Sequence, residues 1–262
     1  MKYVLNLFFF VAILIITYSC SKNQENNEAG TGETSGITVF GDNVDDTIQT
    51  IKPIAYIDSM EKNGLIMFFP KFSSIDLVCG TMPSKTDTSV IFVAEAAYTG
   101  DTLKEFNHLN IAGDHVSKGH RYEGYRCTSN TGAFVYYNGK PKFCFNSYSD
   151  ELDSAACNGG MGFGQELIIH NKEVKKTARS DDDKNIFRAL CSYEGKICIV
   201  ESIDVMPFVN FKTALKKAGI SEAIYLDMGN GWNYAWYRNN NGIHERGKKT
   251  HNFCTNWITF YK

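Results

Sequence analysis

The sequence predicts a strand-rich α+β fold, a single mixed α/β domain with one helix at about 210–218 that leads into a buried strand. Three observations carry that expectation. Phe208, Phe211, Leu215 and Ala218 recur at three- and four-residue steps, which makes one face of a helix apolar. Ala223, Ile224, Tyr225 and Leu226 form a short apolar run of the kind that fills a buried strand. Elsewhere the chain breaks into short β-type runs separated by Asn-Gly and similar turn signals.

The chain has 262 residues, 43% of them apolar, with a formal charge of −2. That length is enough for one large domain or two small ones, and the composition sets up no basic field to attract nucleic acid. Phe, Tyr and Trp make up 13%, which suits either an aromatic sugar cleft or a large core. Residues 1–19 read as a lipoprotein signal: Lys2 is a positive lead, and Val4 to Ile16 is an apolar run too short for a comfortable span. Cys20 follows a small residue and is the expected lipidation site, the alternative being an ordinary signal peptide with a chance cysteine. Residues 20–36 are almost free of apolar side chains and form a flexible tether, leaving 37–262 as the folded domain. The expected location is therefore the cell envelope, with the lipid as the only membrane contact.

Taken in order, Ile54–Asp58 and Leu65–Phe69 read as strands joined at Asn63-Gly64. Val90–Val93 is a buried strand, and Glu95 follows it either as a catalytic group or as a salt-bridged strand end. Residues 107–146 read as a β-meander with a turn at Asn138-Gly139. Lys118, His120 and Arg121 lie in a loop, as solvated charge or as contacts to an anion. Asn158-Gly-Gly-Met-Gly-Phe-Gly lacks the Gly-Lys-Ser/Thr of a phosphate loop and reads as a mobile or tightly turned loop. A strand at Glu166–His170, a turn at Asn171-Lys172 and an exposed acidic loop through Asp181–Asp183 follow, with no EF-hand spacing. A hairpin then turns at Glu194-Gly195 and carries Arg188 inside an apolar strand, where a guanidinium needs an anionic partner. Asn210 is the expected N-cap of the helix, and Gly219 is its stop. Asp227 ends the next strand beside Gly229 and Gly231, which let the backbone turn sharply.

Seven cysteines remain after Cys20, an odd number that leaves at least one thiol free if the rest pair. Neither they nor the six histidines show zinc-ligand spacing. No metal site and no cofactor is expected, a divalent cation being left open.

The order of these pieces resembles the phosphodiester glycosidase family. The resemblance is carried by the Arg188 strand, the Gly195-Lys-Ile-Cys-Ile-Val strand, a helix ending Lys217-Ala-Gly-Ile, and Ala223-Ile-Tyr-Leu-Asp-x-Gly. It reaches upstream to Val93–Tyr98, where the family has an Asn-Gly-Gly loop, and spans roughly residues 85 to 240. Arg188, Asp227 and Gly229 match family positions. The chain departs at Ala94-Glu95-Ala96, at Ala189 where a Thr is usual, and at Met228-Gly-Asn-Gly-Trp-Asn. The resemblance implies a hydrolase that cleaves a sugar from a sugar-1-phosphodiester or a related glycan. Arg188 would pair with the phosphate or a carboxylate. Asp227 would work at the anomeric centre with Glu95 as its partner carboxyl. Gly229, Asn230, Gly231, Trp232 and Asn233 would bind the sugar, and Trp236 could stack on it. The expected partner is a carbohydrate or sugar phosphate. Two other readings stand beside this one: a non-catalytic carbohydrate-binding lipoprotein, and an adhesive surface protein. The structural alternative to these roles is that Arg188 and Asp227 form a buried ion pair and the tryptophans pack the core.

Overall fold

A computed structural model of the chain describes residues 56–99, 109–124, 127–228, 234–248 and 254–262. The described residues lie in one unit that runs from Ile51 to Lys262. It opens with the hairpin β1 (Ile57–Lys62) and β2 (Leu65–Pro70), then β3 (Ser74–Cys79) and β4 (Val90–Glu95). Short strands β5 (His115–Ser117) and β6 (His120–Tyr122) precede the hairpin β7 (Gly132–Tyr137) and β8 (Lys140–Cys144). Helix α1 (Glu151–Cys157) leads to β9 (Met161–Gln165), β10 (Leu167–His170) and β11 (Glu173–Val174). Next come β12 (Lys184–Asn185), the hairpin β13 (Arg188–Tyr193) and β14 (Lys196–Ser202), and β15 (Met206–Pro207). Helix α2 (Phe208–Ala218) and β16 (Glu222–Tyr225) follow, then β17 (Ala235–Asn239), β18 (Gly242–Arg246) and β19 (Asn256–Tyr261).

This is a mostly β fold, and the α+β expectation is overturned. Among the described residues two helices, of 7 and 11 residues, stand against four sheets. Every strand pair among the described residues is antiparallel. The physical reason is local. In the hairpins β1-β2, β7-β8 and β13-β14 a tight turn returns the chain immediately, so the two strands pair directly and need no crossover helix. Asn63-Gly64, Asn138-Gly139 and Glu194-Gly195 all have positive φ at both central residues, the two-residue hairpin conformation.

The central sheet has seven strands in the order β1-β2-β14-β13-β16-β10-β11. Both of its faces are buried. On one face Ala189, Cys191, Cys198 and Val200 meet Phe208, Phe211 and Leu215 of α2. On the other, Leu190, Ile197, Ile199 and Ile224 meet Ile91, Phe92, Phe134 and Phe260 from the two five-stranded sheets. A strand covered on both sides has no polar face, which is why Ile197 to Val200 reads as a continuous apolar run. Fully burying each of Phe208, Phe211 and Leu215 contributes about 1.5–3 kcal/mol.

Helix α2 starts at Phe208, after Pro207 as N-cap, so Asn210 lies inside it. Its first N–H groups are met by backbone instead: Phe208 donates to Asp183 O at 2.8 Å and Val209 to Asp181 O at 3.0 Å. Lys212 Nζ reaches the Asp181 carboxylate at 2.5 Å, so the expected acidic loop is docked on the helix. Gly219 is left-handed at φ 94° and stops the helix as expected.

The expected meander over 107–146 is interrupted, because the sheet order is β6-β5-β9-β7-β8. Strand β9 comes from the glycine-rich segment that sequence alone assigns to a loop. Its glycines serve close packing. A Cβ on Gly162 would sit 2.7 Å from Val135 Cγ1 and 2.9 Å from Leu152 Cδ2. The loop cation Arg121 is consumed internally, pairing with Asp114 at 2.6 Å and Asp153 at 2.7 Å.

Candidate active site

The site forms where the central sheet meets the five-stranded sheet β18-β17-β4-β19-β3. Strand β4 ends at Glu95, and β16 runs on into Asp227. Asp227 N–H donates to Ala96 O at 2.9 Å, and Leu226 N–H donates to Arg188 O at 3.0 Å. Asn256 fixes the exit of β4: its Oδ1 accepts from Ala97 N–H at 2.7 Å, and its Nδ2 donates to Ala97 O at 3.1 Å. Glu95, Asp227 and Arg188 are thus drawn together from three strands, and all three are buried.

Glu95 is held far from the usual carboxylate range, pushed up to about 8. Burial is the main cause and the neighbouring Asp227 charge adds to it; the Arg188 guanidinium and a hydrogen bond from Cys254 offset part of the rise. Glu95 Oε2 finds no hydrogen-bond partner among the described residues, which suits a carboxylic acid better than a carboxylate. The Cys254 thiol is raised as well, by burial first and then by the Glu95 and Asp227 charges, so it is not a thiolate nucleophile.

Arg188 has a partner that sequence reasoning missed. Its Nε and Nη2 both donate to Glu201 Oε2, at 2.9 and 2.5 Å. The other Glu201 oxygen accepts from Arg246 Nε and Nη2, at 2.9 and 2.5 Å. Glu201 therefore joins the central sheet to β18 and clamps two guanidiniums. The signal was present in the sequence: the turn at Glu194-Gly195 fixes the register of β13 and β14, which sets Arg188 opposite Glu201.

Tyr98 and Tyr225, with Arg179 against the Tyr225 ring, also lie within reach of the Asp227 charge, and none of the three was read from the sequence as a site residue. Both phenols are raised, by burial before any charge, and the Asp227 charge contributes to each. Arg179 stands over the Tyr225 ring, 4.8 Å from its centroid. Glu166 Oε1 accepts from the backbone N–H of Ala178 and Arg179. A cavity of about 390 Å³ opens beside them, lined in part by Tyr98, Ser129, Arg179 and Asp183.

Cys20, Gly229, Asn230, Gly231, Trp232 and Asn233 lie outside the described residues. Trp236 is fully buried against Val93, Tyr234 and Trp257, so it packs a core and presents no face to a sugar. Among the described residues no group of three His, Cys, Asp or Glu side chains is placed to hold a metal ion. Chemically, the arrangement sets a carboxyl that keeps its proton beside a second carboxyl and a guanidinium, in a site shielded from water.

The sequence matches no protein-family model and no curated protein. Its fold is similar to that of solved structures. One is the zebrafish N-acetylglucosamine-1-phosphodiester α-N-acetylglucosaminidase catalytic domain, auto-inhibited by its pro-peptide. The TM-score is 0.51 at 12% identity, covering 80% of this chain and 82% of that one. Another is a hypothetical protein from Synechocystis, with TM-score 0.55 at 12% identity, covering 79% of this chain and 61% of that one. The likeness is one of fold alone.

Proposed function

We propose that the chain is a glycoside hydrolase that releases a sugar from a sugar-1-phosphodiester or a related glycan. The observation that carries this reading is the Glu95–Asp227 pair. Two carboxyls share one buried site, and one of them is raised to about 8, which suits a general acid at neutral pH. Glu95 would protonate the leaving oxygen, and Asp227 would act as base or nucleophile at the anomeric carbon. Arg188, fixed by Glu201, supplies positive charge beside them. The likeness of fold to a glycosidase supports a sugar as the substrate class.

The test is sugar release from a panel of sugar-1-phosphodiesters. Asp227→Asn and Glu95→Gln are each expected to lower turnover by about 10²–10⁴-fold with the fold intact. Wild-type turnover should fall as pH rises through about 8, where Glu95 loses its proton. No turnover from folded wild type on any member of the panel would contradict the reading.

A second reading has its own observation. Glu95 and Asp227 are only 2% and 3% exposed, which also suits a charge cluster inside a non-catalytic carbohydrate-binding protein. Glycan binding without turnover would favour it. We further propose that Cys20 is lipidated and holds the domain at the cell envelope, on the strength of the apolar run before it. Fatty-acid labelling lost in Cys20→Ser would support that; labelling retained would refute it.

A further inference from the structure

A groove of about 760 Å³ shares no residue with the Glu95–Asp227 cluster. Two hairpin tips border it, at Gly139 between β7 and β8 and at Glu194-Gly195 between β13 and β14. Four half-buried rings line it: Phe69, Phe72, Tyr136 and Tyr193. Phe69 packs on Tyr193 at 5.9 Å between centroids, and Phe72 on Tyr136 at 6.0 Å. Each pair is braced from outside the groove. Phe260 meets Phe72 at 5.2 Å, and Lys62 Nζ stands 5.5 Å from the Tyr193 centroid while donating to Ala218 O at 2.9 Å. The rings are therefore set before a ligand arrives, which removes much of the ordering cost of binding.

The charges of the groove cancel. Asp58 and Glu194 stand against Lys71 and Lys196, and Asp58 already pairs with Lys71 at 3.1 Å. A balanced lining gives neither an anion nor a cation an advantage, yet it keeps donors and acceptors at the rim. Fixed aromatic faces beside such groups complement a ligand that is apolar on its ring faces, hydroxylated at its edges and uncharged. The volume falls in the usual range of small-molecule sites, roughly 300–1,000 Å³. We propose that this groove binds a neutral oligosaccharide, at a site separate from the Glu95–Asp227 cluster and independent of whether that cluster is catalytic.

The test is titration calorimetry and saturation-transfer NMR of the full chain with N-acetylchitotetraose, maltotetraose and cellotetraose. Saturable binding of at least one is expected, with transfer strongest to ring C–H protons. Tyr193→Ala and Tyr136→Ala should each weaken it by about tenfold or more, and Tyr193→Trp should retain it. Asp227→Asn should leave the affinity unchanged. Four results would overturn the proposal. They are no saturable binding of any of the three, equal affinity in both alanine variants with unchanged circular dichroism, loss in Asp227→Asn, or binding of an uncharged Ala-Gly hexapeptide in place of the glycans.

Discussion

Glu201 and Glu95 are both buried carboxyls, 3% and 2% exposed, yet their surroundings are opposite. Glu201 receives four hydrogen bonds from two guanidiniums, so its charge is compensated where it stands. Glu95 lies beside another carboxyl, and one of its oxygens has no partner among the described residues. The first environment explains itself as architecture, a charge clamp between two sheets. The second costs stability whenever Glu95 ionises, and a carboxyl perturbed in this way marks a candidate functional site. A buried charge therefore does not mark a site by itself; the sign of its neighbours separates scaffold from candidate chemistry.

Mutating the two carboxyls should break this symmetry. Glu201→Ala leaves two guanidiniums without their shared partner and is expected to cost about 3–5 kcal/mol in denaturant unfolding. Glu95→Gln, which replaces a neutral acid with a neutral amide of the same shape, should cost far less at neutral pH. Equal losses in the two variants would erase the distinction.

The pH dependence sharpens it. The folded state raises Glu95 from its ordinary 4.5 to about 8, so between those values the native protein holds a proton that the unfolded chain has released. The contribution of this group is thus fully present below about 4.5 and is lost as pH rises through about 8. Wild type should lose stability on the order of a few kcal/mol over that window, and Glu95→Gln should remove this part of the slope. Unfolding titrations from pH 4 to 9 would show it; identical slopes in the two proteins would contradict the assignment. The smallest effect is expected at Arg246, whose side chain is 31% exposed. Arg246→Ala should cost about 1 kcal/mol or less, because water replaces part of what Glu201 loses.

Much of the fold was legible where turn chemistry was explicit. Asn63-Gly64, Asn138-Gly139 and Glu194-Gly195 were readable because glycine, preceded by Asn in the first two, readily takes the positive φ such a turn needs. Helix α2 and its Gly219 stop were readable from periodicity. The segment at Met161–Gln165 was not, because a glycine that admits a crowded neighbour looks the same in sequence as one that bends a loop. Asn210 misled because the helix start is satisfied by carbonyls of Asp181 and Asp183, far upstream in the chain, which no local pattern reveals. Arg188, Asp227 and Glu95 each stand out in the sequence as a charge in or at the end of an apolar strand, and the structure places all three in one buried region. Glu201 was within reach of the hairpin register, whereas Arg246 and Cys254 enter from β18 and the approach to β19, through sheet pairings without a sequence signature.

The most direct test of the central claim is a carbon-13 NMR titration of the Glu95 side-chain carboxyl, in wild type and in Asp227→Asn. The account predicts a midpoint near 8 in wild type that moves down when the Asp227 charge is removed. A midpoint near 4.5 in both proteins would contradict it, and Glu95 would then be an ordinary ionised carboxylate at a strand end.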